Sequence, residues 1–269
     1  MMNQKLNNHI WQAEEYHRHS SVQFNAAAEL FKYLRLEGNE RIIDIGCGDG
    51  KITATIANSV KTGSVLGIDI SPEMIKFAQK TFPSDQYSNL YFLLQDAHNM
   101  EYKEEFDIAF SSFAIQWFTN KNAFFKKIHL SLKQSGYLAL TIPLGISSGL
   151  EESICKTISK PKWLPYFCKH PKIWNFTNES EYKQLLVTHQ FEAIRFEAIN
   201  QLHVFPSREK FEKYVLQWFP YSRFLPRILQ HEFFKQVIDK YFEIELVCNK
   251  GEVHFQFPRL DIIATKIVF

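Results

Sequence analysis

The stretch Asp44-Ile45-Gly46-Cys47-Gly48-Asp49-Gly50 leads from a short apolar run, Arg41–Ile45, into a segment with helical spacing, Lys51–Val60. Its three glycines permit backbone turns and a close approach of a ligand that any side chain would block. The spacing is G-x-G-x-G, whereas pyrophosphate-binding turns prefer G-x-G-x-x-G, and the sequence contains no G-x-x-x-x-G-K-[ST] stretch for a triphosphate. The turn therefore favours a cofactor other than a dinucleotide or ATP.

Two further carboxylates follow the next two apolar runs. Asp69 lies near the end of the run Ser64–Ile70, 19 residues beyond Gly50, where a carboxylate can accept both hydroxyls of a ribose. Asp96 follows the run Leu90–Leu94 and can accept a hydrogen bond from an adenine amino group. Because the carboxyl ends of parallel strands share one edge of a sheet, these side chains predict a cofactor that carries adenosine.

From Arg41 onward, short apolar runs alternate with segments of helical spacing, which is typical of an α/β fold with a mostly parallel sheet. The predicted strands are 41–45, 64–70, 90–94, 106–110, 137–142, 191–200 and 253–268. The predicted helices are 24–34, 51–60, 71–81, 120–132, 181–190, 208–219 and 229–242, the third with Ser71 as N-cap and Pro72 at its first position. We expect helices on both faces of the sheet.

The alternation breaks down after Pro143, where prolines and aromatic residues are concentrated between positions 145 and 177. This composition predicts a helical lid inserted into the domain. At 269 residues with 45% hydrophobic content, one large domain is expected. It would have a cofactor-binding core at 24–145, a lid and substrate region at 146–180 and 205–243, and final strands at 191–200 and 253–268.

Composition excludes several classes of partner. Lys plus Arg total 31 against 29 Asp plus Glu, which provides no overall field for nucleic acid. No segment offers the roughly 20 apolar residues that span a bilayer, and the first 15 residues lack a secretory pattern, so we expect a cytoplasmic protein without a membrane span. The four cysteines lack paired spacing, which predicts free thiols and no metal site.

The glycine-rich turn, Asp69, Asp96 and the pair Gln116-Trp117 together resemble the motif series of the class I S-adenosylmethionine-dependent methyltransferases. The resemblance covers Tyr16 through Phe269. Within that superfamily, Val22-Gln23-Phe24, Gln116-Trp117 and Ser159-Lys160-Pro161-Lys162-Trp163 are similar to the trans-aconitate and juvenile-hormone-acid carboxyl methyltransferases. Lys133-Gln134-Ser135-Gly136 departs from the usual Pro-Gly-Gly before the fifth strand, since it keeps the glycine but lacks proline.

The resemblance implies a Rossmann-like sheet of seven strands with the last strand antiparallel. It implies S-adenosyl-L-methionine as cofactor and S-adenosyl-L-homocysteine as product, with the glycines beneath the methionine portion, Asp69 on the ribose and Asp96 near the adenine. The expected cofactor-binding residues are Asp44, Gly46, Cys47, Gly48, Gly50, Asp69, Ile70, Asp96, Ala97 and Ser111.

A carboxylate acceptor suits the donors that the sequence offers. A carboxylic acid is ionised at neutral pH because it titrates near ~4, whereas a phenol near ~10 needs a general base. By resemblance, Gln23 and Trp117 position the acceptor carboxylate, and Gln116 and Trp163 complete the expected substrate-binding set. No residue is assigned as a certain catalytic group. The predicted activity is O-methylation of a small, partly apolar carboxylic acid, without a metal.

Three alternatives remain open. Lys156, Lys160, Lys162, Lys169 and Lys172 could dock an acyl carrier protein, as in the malonyl-carrier methyltransferases, and Arg208, Arg223 and Arg227 could clamp a distal carboxylate. His170 or His203 could serve as a base for a phenol or quinone ring. A protein that binds S-adenosylmethionine without catalysis would retain all the cofactor residues.

Overall fold

The computed structural model describes residues 11–168, 174–245 and 251–267. The strands are β1 (Arg41–Ile45), β2 (Ser64–Asp69), β3 (Leu90–Leu94), β4 (Phe106–Ser112), β5 (Leu132–Pro143), β6 (Phe191–Phe205) and β7 (Val253–Lys266). The helices are α1 (Ala13–His19), α2 (Ser21–Phe31), α3 (Lys51–Ser59), α4 (Pro72–Thr81), α5 (Lys121–Ser131), α6 (Ser148–Ile158), α7 (Leu164–Phe167), α8 (Glu179–Thr188), α9 (Arg208–Trp218) and α10 (Arg227–Ile244).

The seven strands form one sheet in the order β3-β2-β1-β4-β5-β7-β6. Strands β1 to β5 pair in parallel, and β7 is antiparallel to β5, with Ile142 opposite Leu260. The α/β class, the seven strands and the antiparallel last strand are therefore confirmed. This order places the ends of β1 and β4 side by side at the middle of the sheet, where ligands collect in open α/β folds.

The strands are buried on both faces because their apolar residues are continuous rather than alternating with polar ones. Ile43 belongs to a core cluster with Phe124 and Phe125 of α5, whereas the neighbouring Ile42 belongs to a second cluster with Leu30 of α2. Successive side chains of a strand point to opposite faces, so these two clusters lie on the two faces of the sheet.

The described chain divides into two compact units. The first unit contains residues 12–144, 175–199 and 259–267, and the second contains residues 11, 145–168, 174, 200–245 and 251–258. Most of the predicted lid and substrate region thus lies in the second unit. The prediction of a single domain stays a prediction.

Most element boundaries agree with the sequence within a few residues, but three helices, α1, α6 and the four-residue α7, were not predicted. α1 has only one buried residue, Ala13, so it has no apolar periodicity to reveal it. α6 lies in the proline-rich segment; the Ser147 hydroxyl accepts a hydrogen bond from the Leu150 amide at 3.3 Å and caps its start. The Ser71 cap and Pro72 at the start of α4 are as expected.

Candidate functional site

The glycine-rich turn connects β1 to α3, and all three glycines adopt the left-handed backbone region, with φ of 75° at Gly46, 55° at Gly48 and 78° at Gly50. A Cβ on Gly46 would lie 2.4 Å from the Cβ of Ala114, and one on Gly50 would lie 2.6 Å from the Phe92 ring. Glycine is therefore required at both positions by packing as well as by φ. At Gly48, the nearest atom to such a Cβ is Cε1 of Tyr16 at 3.8 Å, an ordinary van der Waals contact, so packing alone does not require glycine there.

Three carboxylates surround the turn. Asp44 is buried, and its Oδ2 accepts a hydrogen bond from the Thr53 hydroxyl at 2.6 Å. Burial raises the pKa of Asp44 to about 7; the hydrogen bond from Thr53 opposes the rise, while Asp69 and Asp49 reinforce it. Burial is also the main cause that raises the pKa of Asp49 and of Asp69. Burial thus disfavours the ionised form of these carboxyls, and a cationic ligand at the turn would stabilise that form.

Asp69 is held in place by the backbone. Its Oδ2 accepts from the Gly48 amide at 2.9 Å, and its Oδ1 accepts from the Ser71 amide at 2.8 Å. Each carboxylate oxygen retains capacity for a further hydrogen bond, since an ionised carboxylate offers about four acceptor positions. Asp69 therefore joins the end of β2 to the turn and remains able to accept ribose hydroxyls.

A pocket opens at the turn, and residues of α1 and α2 and the intervening Ser20 form its other wall. The residues that line it are Tyr16, Ser20, Gln23, Phe24, Asp44, Gly46, Cys47, Gly48, Asp49, Lys51, Ile52 and Ser112. α1 is tied to the turn by His17, whose Nδ1 lies 2.7 Å from Oδ2 of Asp49. Gln23 is buried, and its Oε1 has no hydrogen-bond partner among the described residues.

The end of β4 contributes the far side of the pocket. The Ser111 hydroxyl donates to the Ile45 carbonyl at 2.7 Å and joins β4 to β1, whereas the buried Oγ of Ser112 lacks a hydrogen-bond partner in the described chain. Phe113 has φ of 51°, a strained conformation for a large residue and one that is common at functional sites. The chain turns sharply here and brings Ala114 against Gly46.

The predicted cofactor residues lie along the carboxyl edge of β1 to β4. The pocket is lined by Asp44, Gly46, Cys47 and Gly48. Gly50 instead packs close to Phe92 and Ala78. Asp96 accepts from the amide of His98 at 2.9 Å and lies 3.0 Å from its Nδ1, with Ala97 buried beside it and Ile70 47% exposed. Sequence reasoning missed Tyr16, His17, Asp49, Lys51 and Ser112, although Asp49 and Lys51 lie within or next to the quoted turn.

The predicted substrate residues are divided between the two units, with Trp163 in the second and the others in the first. The amide nitrogen of Gln116 donates to the Phe113 carbonyl at 2.6 Å, and Trp117 is half-buried in the short 3-10 helix that follows β4. Trp163 belongs to the second unit, where its indole N–H donates to Gln236 at 3.0 Å and its ring packs against Phe233. It is fully buried by these contacts, and its predicted contact with the substrate stays a prediction.

The alternative candidates also have defined surroundings. His203 stacks on Phe257 in the second unit, while His170, Lys169 and Lys172 lie outside the described residues. Lys156 pairs with Glu152 and Lys162 with Glu232, and Arg208 contacts both Glu212 and Asp239. Within the described residues, no cluster of His, Cys, Asp and Glu could hold a metal, and no helix has the length and apolar character to cross a bilayer.

The residues at the turn fit S-adenosylmethionine. Gly48 has no side chain to block a close approach, the carboxylates suit a cation and ribose hydroxyls, and Gln23 and Ser112 of the pocket lining each have one buried polar atom without a hydrogen-bond partner in the described chain. The G-x-G-x-G spacing differs from the G-x-G-x-x-G of dinucleotide-binding folds.

Comparison with known proteins agrees with this geometry. A family model described as a methyltransferase domain matches residues 36–189. A protein of Invertebrate iridescent virus 6 named as a methyltransferase, 235L, is 28% identical over 232 residues, covering 86% of this chain and 85% of that protein.

Two other relatives match about half of this chain and about half of their own length. Malonyl-[acyl-carrier protein] O-methyltransferase of Acetivibrio thermocellus is 31% identical over 131 residues, covering 48% of this chain and 45% of the relative. Trans-aconitate 2-methyltransferase of Escherichia fergusonii is 29% identical over 133 residues, covering 49% and 51%.

Solved structures share the fold. A methyltransferase-like protein from Bacillus halodurans superposes with a TM-score of 0.62 at 18% identity, covering 90% of this chain and 99% of that one. Phosphoethanolamine N-methyltransferase 2 of Haemonchus contortus, solved with S-adenosyl-L-methionine, gives 0.58 at 18% identity, covering 91% and 52%. Since the domain model spans more than half of the chain, and the sheet and the turn agree with it, the chain belongs to the methyltransferase domain family and is a class I S-adenosylmethionine-dependent methyltransferase.

Proposed function

We propose that this methyltransferase O-methylates the carboxylate of a small, partly apolar acid, with the cofactor held at the glycine-rich turn. The observation that carries the proposal is the pocket beside that turn, which is lined by Gln23 and by Ser112, whose buried Oγ has no hydrogen-bond partner in the described chain. A buried polar atom without a partner costs stability until a ligand supplies one, and the Ser112 hydroxyl can donate to a carboxylate. The unpartnered Oε1 of Gln23 only accepts, so Gln23 would reach an acceptor carboxylate through its amide Nε2.

The charges and contacts at the carboxyl edge of the sheet indicate which residues would bind each part of the cofactor. Asp69, anchored by two backbone amides, would accept the ribose hydroxyls, and Asp96 would face the adenine. Asp44 and Asp49 provide negative charge around the methionine portion. When bound, S-adenosylmethionine supplies a methyl group on a sulfonium, and the residues around it have to orient the acceptor and exclude water.

No general base is required for a carboxylate acceptor, since the acid is already ionised at neutral pH. Gln23 and Trp117 would hold its oxygens in line with the methyl group through an amide and an indole N–H. The printed names of two relatives support this acceptor class, since malonyl-carrier and trans-aconitate methyltransferases both carry acid substrates in their names.

Delivery by an acyl carrier protein is the second candidate, and one relative's name favours it. A docking patch for an acidic carrier needs available positive charge. Lys156 and Lys162 have local glutamate partners, which reduces the net positive charge at these two positions, whereas Lys160 donates to the neutral Gln236 and keeps its charge. We therefore rank a small free acid above a carrier-bound one.

The test is methyl transfer from labelled S-adenosylmethionine to a panel of carboxylic acids, phenols and acyl carriers. We expect Gln23→Ala and Trp117→Phe each to lower kcat/KM for the acid about tenfold or more, since each removes a hydrogen bond to a charged group. Cofactor affinity, measured by calorimetry, should stay within about twofold of the wild type. Gln184→Ala, on the exposed face of α8, is the matched control.

Methylation of phenols or quinones but of no acid would overturn the proposed acceptor class. Cofactor binding without methylation of any compound in the panel would favour the non-catalytic alternative.

A further inference from the structure

The pocket at the glycine-rich turn contains both signs of charge. Asp44 and Asp49 contribute carboxylates, and Lys51 is the only basic residue among the described residues that line it. Both carboxylates favour a positively charged ligand, whereas an ammonium group in the same pocket would repel one. A lysine there is consistent with a cationic ligand only if the part of the ligand nearest to it is negative.

Lys51 is held at the pocket by its surroundings. It is the first residue of α3, and its backbone N–H donates to Oδ1 of Asp49 at 3.3 Å. Its Nζ lies over the ring of Phe24, 5.1 Å from the ring centroid, and its side chain is half-buried. A cation held over an aromatic face keeps its position at little cost, because the ring attracts the ammonium.

The described residues provide no carboxylate within ion-pair distance of the Lys51 ammonium, although Asp49 is close enough to be affected by its charge. Asp49 is instead paired with His17. The amino end of α3 adds a partial positive charge at the same place, since α3 has nine residues and its first amides point toward the turn. Lys51 and the start of α3 therefore form a positive region within an otherwise negative pocket.

We propose that Lys51 binds the α-carboxylate of the methionine portion of S-adenosylmethionine, which is the only anionic group of that cofactor. Asp44 and Asp49 then face its ammonium and sulfonium charges, so that the two signs of charge in the pocket match the two ends of a zwitterion. This inference rests on the assignment of the cofactor to the glycine-rich turn made under the proposed function.

Calorimetric titration of three compounds isolates the carboxylate. S-adenosylmethionine and S-adenosylhomocysteine carry it, and decarboxylated S-adenosylmethionine lacks it while retaining the ammonium and the sulfonium. We expect Lys51→Met to weaken the first two about tenfold and the third less than about twofold, as for loss of one charge-assisted contact. Lys51→Arg should retain most of the affinity for all three, and Lys61→Met, at an exposed position, should change none.

Equal weakening of all three compounds by Lys51→Met would overturn the proposal, because the loss would then not depend on the carboxylate. An unchanged cofactor affinity with a raised KM for the acceptor acid would also overturn it and assign Lys51 to the acceptor. The Asp69→Asn variant tests the placement of the cofactor at the turn separately from the role of Lys51. If that variant binds all three compounds as the wild type does, the placement of the cofactor at the turn is wrong, whatever Lys51 does.

Discussion

Gly48 and Gly50 share a left-handed backbone conformation, yet a methyl group added at each should have a different consequence. In Gly48→Ala the new Cβ has its nearest neighbour at 3.8 Å, so the cost to folding is the strain of about 1–2 kcal/mol for a left-handed residue. In Gly50→Ala the Cβ would lie 2.6 Å from the Phe92 ring and 2.8 Å from Ala78, which adds overpacking of about 1–3 kcal/mol.

We therefore expect Gly48→Ala to fold but bind S-adenosylmethionine more weakly, and Gly50→Ala to lose more stability in urea denaturation. Normal cofactor affinity in Gly48→Ala, measured by calorimetry on the folded variant, would contradict the proposed approach of the cofactor to this turn.

Asp44 makes stability depend on pH. Burial raises its pKa to about 7 in the folded chain, well above the ordinary value of about 3.9 that it has when unfolded. The folded state thus holds a proton that the unfolded state releases, and the stabilisation is complete below about pH 4 and lost as the pH rises through about 7. Asp44→Asn should flatten this part of the pH profile of the free energy of unfolding. An unchanged slope between pH 4 and 7 would show that Asp44 ionises normally in the folded chain.

At the scale of elements, an ion pair of the buried Arg259 with the half-exposed Glu29 joins α2 to β7. The guanidinium of Arg259, 1% exposed, donates to Glu29 of α2 at 2.8 Å and contacts the buried Asp261 of its own strand at 3.1–3.2 Å. Because α2 also carries Gln23, this contact fixes a helix that forms one wall of the proposed site.

We expect Arg259→Met to lower the free energy of unfolding by about 3–5 kcal/mol, since it leaves the Asp261 carboxylate buried without that partner. Glu29→Gln should cost no more than about 1 kcal/mol, because the Glu29 side chain is half-exposed. The double variant Arg259→Met with Asp261→Leu should recover part of the loss, because it removes the buried charge. A double variant as unstable as Arg259→Met would argue that packing of the arginine stem, rather than charge, is what stabilises this contact.

At the scale of the whole molecule, the features that could be predicted from the sequence are those that depend on the local pattern of residues. The first five strands are compact apolar runs, and the position of Asp44, Asp69 and Asp96 at one sheet edge could be predicted because each lies within two residues of the end of a strand. Contacts between distant segments could not be predicted in this way. The pairing of His17 with Asp49 depends on how α1 packs beside the turn, and α1 itself has almost no apolar signal.

The contacts of the aromatic residues in the second unit could not be predicted from local pattern either. A tryptophan in a proline-rich segment fits ligand binding and core packing equally well by pattern. Only the contacts of Trp163 with Gln236 and Phe233, which are separated from it by about seventy residues of chain, distinguish the two. The strain at Phe113 could not be predicted from the sequence either, since a positive φ is uncommon for a large residue.

The position of β7 within the sheet also bears on how the protein is synthesised. β6 has β7 as its neighbour in the strand order, so β6 cannot complete its pairing until residues 253–266 have emerged from the ribosome. Strands β1 to β5 can assemble earlier in translation, but the open edge of β5 and the whole of β6 then remain available to other nascent chains. Slow translation of residues 206–266 would lengthen that exposure, and chaperones that shield unpaired strands would act on this chain during that interval.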